Sequence, residues 1–435
     1  MKTASRSRRR CPRCAVRSSR RSRRCVLCSC HLSEGRVRVE SPARRRPCGR
    51  LGRMSSMLFS AASGRPTLSD VLPNSLTSLR GETGALGLPE ARSVVVMLVD
   101  GLGASMLRSR TGHARHLTAD WRKKDTAFSF PSTTVAGITS LTTATRAGEH
   151  GLMGYSLFDR DAGIIRNQLS GWGDGMDPAT WQLQRTVFEE LRDGGSEVQS
   201  IVVGMPQYRD SGLTHASLRG AIYLEGATMR ERVDVTLAAL DEYPRALIYL
   251  YNAELDQAGH AHGWESDAWL ARLEELDAAF DSLNRGVDAG TGILVTADHG
   301  MIDIPRHRQI DVDDDDPLFD GVVAMAGEPR LRHLYLEADA GDQAAEELRD
   351  RWLESQGARA SVLTRAEAVS NGWYGPNVAL AAAERIGDVI VAATKGVTYY
   401  ASSMQSGARL VVGQHGSITP EETIVPLIRA GAFTH

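Results

Sequence analysis

Asp256 and His260 stand four residues apart in Glu254-Leu-Asp-Gln-Ala-Gly-His260. On a helix this spacing puts a carboxylate and an imidazole one turn apart on one face, within reach of a single ion. Asp298-His299-Gly300 offers a second such pair, in a bend that the glycine allows. Asp100 closes the apolar run Val94-Val95-Val96-Met97-Leu98-Val99, and His415 lies between glycines in Gly413-Gln-His-Gly416. A lone aspartate at the end of a strand is commonly a turn former. Here Asp100, Asp256, His260, Asp298, His299 and His415 are read together as metal ligands, because three strand-end acids each have a glycine or imidazole beside them. A carboxylate and imidazole set without cysteine suits zinc in a catalytic setting, with manganese or iron as alternatives.

The residue such a centre would serve is Thr134, in Phe130-Pro-Ser-Thr-Thr134. The small apolar run Val135–Leu141 after it can wind as a tightly packed helix, whose free N–H groups attract an anion, phosphate above all. A threonine hydroxyl is a poor nucleophile until a base or a metal removes its proton. Six side chains plus Thr134 fill two open sites better than one, and two ions about 3.5–4 Å apart clamp an in-line displacement at phosphorus. Two divalent ions against three carboxylates leave a net charge of about +1 with neutral Thr134 and about 0 with its alkoxide, so the site favours the nucleophilic form and accepts an anionic substrate.

The elements that must position these residues are those of an α/β protein. Val94–Val99 is a run expected of a strand buried on both faces, and Ile201–Gly204, Ala246–Tyr251, Gly292–Thr296 and Leu410–Val412 repeat the signal. Between them, Thr180 to Arg192 carries Leu183, Val187 and Leu191 at helical spacing. Ser266 can cap a long helix with Leu270, Leu273, Phe280 and Leu283 on one face. Alternating strands and helices predict a mostly parallel central sheet flanked by helices, with ligands collected beyond the carboxyl ends of its strands. Residues 302–395 read as a smaller inserted α+β lobe, with His333–Leu336 and Val389–Val391 as strands around a helical Ala344–Trp352. The acidic run Asp311–Pro317 lacks the glycine and terminal glutamate of an EF-hand and reads as a solvated turn.

The 435 residues carry a net charge of −2, which hides an asymmetry. Residues 1–53 hold 18 basic against 2 acidic residues; the remainder holds 33 against 51, a net −18. All six cysteines, Cys11, Cys14, Cys25, Cys28, Cys30 and Cys48, precede residue 54. Cys11-x2-Cys14 and Cys25-x2-Cys28 have zinc-ribbon spacing, and a basic zinc module could touch nucleic acid. The residues between the pairs are mostly Arg and Ser, so residues 1–56 are read instead as a disordered Arg/Cys-rich extension, with 57–435 as the catalytic core. The start has no apolar stretch behind its positive charges and no run approaches a membrane span, which makes cytoplasm the expected location.

Val-Asp100-Gly, Phe-Pro-Ser-Thr-Thr134, Glu254-Leu-Asp256-Gln-Ala-Gly-His260, Thr-Ala-Asp298-His299-Gly-Met and Gly-Gln-His415-Gly resemble, in order, the motifs of the alkaline phosphatase superfamily, most closely its type I phosphodiesterase/nucleotide pyrophosphatase branch. The resemblance spans about residues 94–426. It implies an alkaline-phosphatase-like fold and a nucleophilic Thr134 that becomes a phosphothreonine. It also implies two zinc ions, one held by Asp256, His260 and His415, the other by Asp100, Asp298, His299 and Thr134. The implied substrate is a small phosphodiester or nucleotide pyrophosphate, with phosphomonoester or phosphonate hydrolysis as the alternative on the same site. A sulfatase using formylglycine made from cysteine is excluded, since residues 54–435 have no cysteine. A reading of another class is a nucleic-acid-binding protein acting through the basic arm; an intact ligand set argues against it.

Other residues carry weaker signals. His150, in Gly148-Glu-His-Gly151, reads as a structural histidine, and His262 as facing away from His260. Tyr155, Trp172 and Trp373 are candidates for stacking on a leaving group or for the core. Arg330 is a candidate phosphate contact from the inserted lobe.

Overall fold

In a computed structural model of the chain, residues 58, 62, 64–313, 316–402 and 406–434 are described. The Arg/Cys-rich extension, with all six cysteines, and the centre of the acidic run lie outside them.

A seven-stranded sheet organises the core. Its strands are β1 (Ser93–Val99), β2 (Thr126–Phe128), β3 (Gln199–Gly204), β4 (Ile222–Glu225), β5 (Ala246–Asn252), β6 (Thr291–Thr296) and β11 (Ile424–Gly431), in the spatial order β2-β11-β6-β1-β5-β3-β4. From β6 to β4 all pairings are parallel; β11 runs antiparallel to both β6 and β2. Every side chain from Val94 to Val99 is fully buried, each worth roughly 1.5–3 kcal/mol relative to exposure. The flanking helices include Met229–Glu242 and Asp267–Gly286. The second is capped by Ser266, whose hydroxyl accepts the Trp269 N–H at 3.2 Å, and it buries Trp269, Leu273, Leu276, Phe280 and Leu283. Among the described residues no helix is long and apolar enough to cross a membrane.

The register decides where the ligands fall. Val99 of β1 lies opposite Asn252 of β5, and Leu98 opposite Thr296 of β6. Three adjacent parallel strands therefore end at one level, and Asp100, Asp256 and Asp298 all follow within a few residues.

A second sheet is antiparallel, with strands β7 (Val322–Glu328), β8 (Leu331–Leu336), β9 (Ala360–Thr364) and β10 (Val389–Ala393) in the order β7-β8-β10-β9. Helix Gly341–Gln356 buries Leu348 and Trp352 in the small core on this sheet.

Two sequence expectations are corrected. Leu410–Val412 is no strand: Leu410 is 61% exposed and ends a short 3-10 turn, and the last strand of the sheet is β11, whose Pro426 sits opposite Thr126 of the short edge strand β2. The helix expected over Thr180–Arg192 is split into a short Pro178–Trp181 and, after a break, Val187–Asp193, whose start Thr186 caps. The Thr186 hydroxyl accepts the Glu189 N–H at 3.0 Å while the Glu189 carboxylate accepts the Thr186 N–H at 3.0 Å, which fixes the first turn there.

Candidate metal centre and nucleophile

Thr134 is the first residue of helix Thr134–Thr143, whose cap is Thr133. The helix approaches the end of β6 so closely that a Cβ on Gly137 would lie 2.6 Å from the Asp298 Cβ; only glycine permits this approach. The preceding segment is held on both sides, as Ser129 donates to the Asp298 carbonyl and Ser132 to the Ser417 carbonyl at 2.7 Å. Thr134 Oγ1 consequently rests 3.3 Å from His299 Nε2, at the positive end of the helix.

The acids arrive from the three strand ends. Gly101 turns the chain after Asp100 at φ +76°, where an added Cβ would lie 3.1 Å from Asp256 Cα, and the two carboxylates meet within 4.8 Å. Asp256 and His260 share one face of helix Glu254–His262, with Oδ1 and Nε2 3.3 Å apart. Asp298 Oδ1 accepts the Gly101 and His299 N–H groups at 3.1 and 3.0 Å, which leaves Oδ2 for the centre. His415 is delivered by a two-residue pairing: Gly413 and Gln414 lie antiparallel to Asp303 and Ile302, just past His299.

The structure thus gathers all seven candidates. Two overlapping groups have ligand atoms within 4.8 Å of one another: Asp256 with His260 and His415, and Asp100 with Asp256 and His299. Asp298 Oδ2 lies 3.9 Å from His299 Nε2.

The donor chemistry fits cations. His260, His299 and His415 each give Nδ1–H to a backbone carbonyl, those of Gly413 at 2.8 Å, Gly300 at 3.0 Å and Ser132 at 2.9 Å. With Nδ1 committed to a carbonyl, each ring turns its Nε2 inward, the arrangement by which second partners orient ligating histidines. The Nε2 atoms of His260 and His415 face each other at 3.3 Å, and His299 Nε2 faces Asp100 Oδ1 at 3.3 Å. Lone pairs at these separations repel unless a positive charge lies between them. Asp100 Oδ1, Asp256 Oδ1 and Asp298 Oδ2 are buried and accept no hydrogen bond, an arrangement that is costly for a carboxylate without a counter-charge.

Electrostatics point the same way. Burial and the Asp100 charge push Asp256 up to about 6 and hold Asp298 well above the usual carboxylate range. Burial opposes charge on His299, yet Asp298, Asp100 and Asp256 outweigh it and hold the ring up to about 10, so the three carboxylates together demand positive charge at this point of the site. Burial and the His299 and His260 rings keep His415 well below its ordinary value, in the neutral ligand form.

Residues 94–418 match the family model described as type I phosphodiesterase/nucleotide pyrophosphatase. The chain belongs to this family. It is a phosphoric ester hydrolase. Among solved structures the family member resembles an inactive murine ectonucleotide pyrophosphatase/phosphodiesterase 5 in complex with AMP, at 18% identity and a TM-score of 0.60, over 78% of this chain and 88% of the other. It resembles to the same TM-score of 0.60 the phosphonoacetate hydrolase of Sinorhizobium meliloti 1021 in complex with phosphonoformate, at 19% identity, over 79% and 91% of the two chains. Both likenesses are of fold, and they agree with the expected α/β architecture. A comparison with curated proteins gives no match.

The remaining candidates separate cleanly. His150 is fully buried between the Ser140 hydroxyl and the Leu152 N–H, a structural histidine of this hydrolase, and His262 is exposed. Trp373 packs edge-on against Phe130 in the core and Tyr155 stands 46% exposed, while Trp172 lines the cavity beside Thr134. Arg330 makes no phosphate contact: it is fully buried, bidentate to Glu422, with its other N–H bonds on the Lys395, Val397 and Ala393 carbonyls. Sequence reading missed Tyr251, whose hydroxyl donates to Asp100 Oδ2. Its signal was the alternation of Tyr249 and Tyr251 on β5, which places both phenols on one face.

Proposed function

We propose that the enzyme hydrolyses a phosphodiester, or the phosphoanhydride of a nucleotide, in two displacements through a phosphothreonine on Thr134. The observation that carries this reading is the meeting of Thr134 Oγ1, at a helix N-terminus, with inward-turned imidazole lone pairs and unpaired carboxylate oxygens. Asp256, His260 and His415 would hold one divalent ion, and Asp100, Asp298, His299 and Thr134 the other; zinc suits this donor set. When bound, the pair supplies Lewis acidity and lowers the threonine pKa.

The chain's own part is to place and to turn over. Helix Thr134–Thr143 presents Oγ1 to phosphorus and directs its N-terminus at the phosphoryl oxygens. In the first displacement the Oγ1–P bond forms as the ester P–O bond breaks, and the departing alcohol gains the proton the threonine loses. In the second, water attacks phosphorus from the opposite side, the P–Oγ1 bond breaks, and Thr134 regains its hydrogen as a phosphomonoester leaves. Tyr251 and the backbone carbonyls of Ser132, Gly300 and Gly413 keep Asp100 and the three imidazoles in register.

The test is hydrolysis of bis(p-nitrophenyl) phosphate against p-nitrophenyl phosphate, with bound metal assayed on the same sample. Diester turnover with about two zinc ions per chain supports the reading. Preference for the monoester would turn it into a phosphatase, and metal-free protein without turnover would overturn it.

A further inference from the structure

The helix that carries Asp256 and His260 starts without a side-chain cap of its own. Ala253, in the cap position, offers no acceptor to the first turn of Glu254–His262. The far end of the helix is tied to the loop of His415: the His260 carbonyl accepts the Val412 N–H at 2.9 Å, and the His260 Nδ1–H goes to the Gly413 carbonyl at 2.8 Å. The near end is tied to a cation. Glu254, the first residue of the helix, accepts from the guanidinium of Arg232, a fully buried side chain on helix Met229–Glu242.

The same guanidinium reaches the end of β5. Its Nη2 also donates to Asn252 Oδ1 at 3.0 Å, its Nη1 donates to the Gly226 and Ala227 carbonyls at 3.2 and 3.3 Å, and the Asn252 carbonyl accepts the Asp100 N–H at 2.8 Å. One cation therefore holds the last residue of β5 and the first residue of the ligand helix, on either side of Ala253. Glu254 and Asp256 stand two residues apart, about 200° around the helix. Asp256 lines the cavity beside Thr134, whereas Glu254 lines a groove with residues of helices Met229–Glu242 and Asp267–Gly286. Arg232 thus grips the helix on the face turned away from the centre, and the roll of the helix about its axis decides where the Asp256 carboxylate points. Asp256 belongs to both groups of ligand atoms that lie within 4.8 Å of one another, so its position sets how the two halves of the centre meet.

Stability does not account for this network. A buried ion pair is often no more stabilising than apolar side chains of similar volume. This one is also incompletely paired, since Arg232 Nε, Glu254 Oε2 and Asn252 Nδ2 are buried without a partner among the described residues. A partly satisfied polar network serves stability less well than an apolar core. What the planar guanidinium does and apolar groups cannot is fix direction, through several N–H bonds of set geometry.

We propose that Arg232 is a positioning residue for the metal centre, acting through Glu254 on Asp256 and His260 and so on the ion that Asp256, His260 and His415 would hold. The inference rests on the two-ion reading and adds to it a residue outside the ligand set on which the affinity of one ion depends.

The experiment uses the full-length double variant Arg232→Met/Glu254→Gln, which removes both charges and leaves neither buried alone, beside Arg232→Lys, which keeps the charge and loses the fork. Zinc is withdrawn from each loaded protein with a competing chelator, and each metal-free protein is unfolded in urea. The metal-free double variant is expected to unfold at the wild-type urea concentration or above it. Its affinity for one of the two zinc ions is expected to be about 10–100-fold weaker than in the wild type, with the other ion little changed. Arg232→Lys is expected to fall between the two. Zinc curves of the double variant that coincide with those of the wild type overturn the inference and leave the two-ion reading standing. Equal weakening of both ions, or earlier unfolding of the metal-free variant, also overturns it, since Arg232 then serves the fold as a whole. Wild-type protein that binds no zinc overturns the two-ion reading itself, and the inference with it.

Discussion

Arg330 and Glu422 form a bidentate ion pair, both bonds 2.7 Å long, with neither side chain exposed. The pair ties the turn between β7 and β8 to the loop that carries His415. Glu422 also accepts the Ser417 N–H at 3.0 Å and the Thr419 hydroxyl at 2.6 Å, and its carbonyl accepts the N–H of Gly300, next to His299. Removing one partner leaves a buried charge uncompensated. Arg330→Met is therefore expected to cost about 3–5 kcal/mol, and the double variant Arg330→Met/Glu422→Gln less than the single one. Urea unfolding followed by circular dichroism measures both, and equal losses would show that the uncompensated charge is not the cause.

Thr134→Ala removes the hydroxyl placed 3.3 Å from His299 Nε2 while leaving the carboxylate and imidazole set in place. Turnover is expected to fall by on the order of 10³–10⁶, with metal still held by the six carboxylate and imidazole ligands that remain, and Thr134→Ser to retain part of the activity. Steady-state rates and metal analysis on one preparation test this; full activity in the alanine variant would assign the nucleophile elsewhere.

Tyr251→Phe deletes the donor that orients Asp100 and keeps the ring. Loss of such an outer partner typically weakens metal binding by about 10–100-fold. Titration with a competing chelator should therefore strip the variant at lower chelator concentration than the wild type. Coincident curves would mean that Asp100 is held without Tyr251.

His150 and His333 are buried neutral, both pushed down to about 3, chiefly by burial and then by nearby arginines. Unfolded, each titrates near its ordinary value of 6.5. The stability linked to them is fully present above pH 6.5 and is lost as pH falls from there toward 3, because only the unfolded chain takes up the protons. Each ring contributes a slope of up to about 1.4 kcal/mol per pH unit in that window. Denaturant midpoints between pH 7 and 4 should fall in the wild type and fall less steeply in His150→Gln, where a slope unchanged from wild type would count against this assignment.

Much of the site was legible because its geometry is local. Asp256 and His260 are one helical turn apart, Asp298 and His299 are neighbours, and Asp100 ends a strand that hydrophobicity alone identifies. The fold class followed from the same runs, since a strand buried on both faces in a parallel sheet has to be apolar throughout. Where local signals competed, the reading failed. Leu410–Val412 has the composition of a strand, but Leu410 ends a 3-10 turn and Val412 spends its backbone groups on the His260 carbonyl and the Ile304 N–H, while β11, broken by Pro426, pairs where composition does not point.

By itself the sequence determined which side chains could meet a phosphate ester, because residue type and short spacing set that chemistry. The tertiary structure decided what depends on distant partners. Arg330 became a strut when Glu422, 92 residues away, took its guanidinium. Three imidazoles turned Nε2 inward because the carbonyls of Ser132, Gly300 and Gly413 claimed their Nδ1–H groups. The cavity beside Thr134 acquired its aromatic walls from β5 and from segments near residues 172, 208 and 223, which only long-range packing assembles. Contacts of this kind depend on register, burial and chain crossing, and no window of sequence contains them.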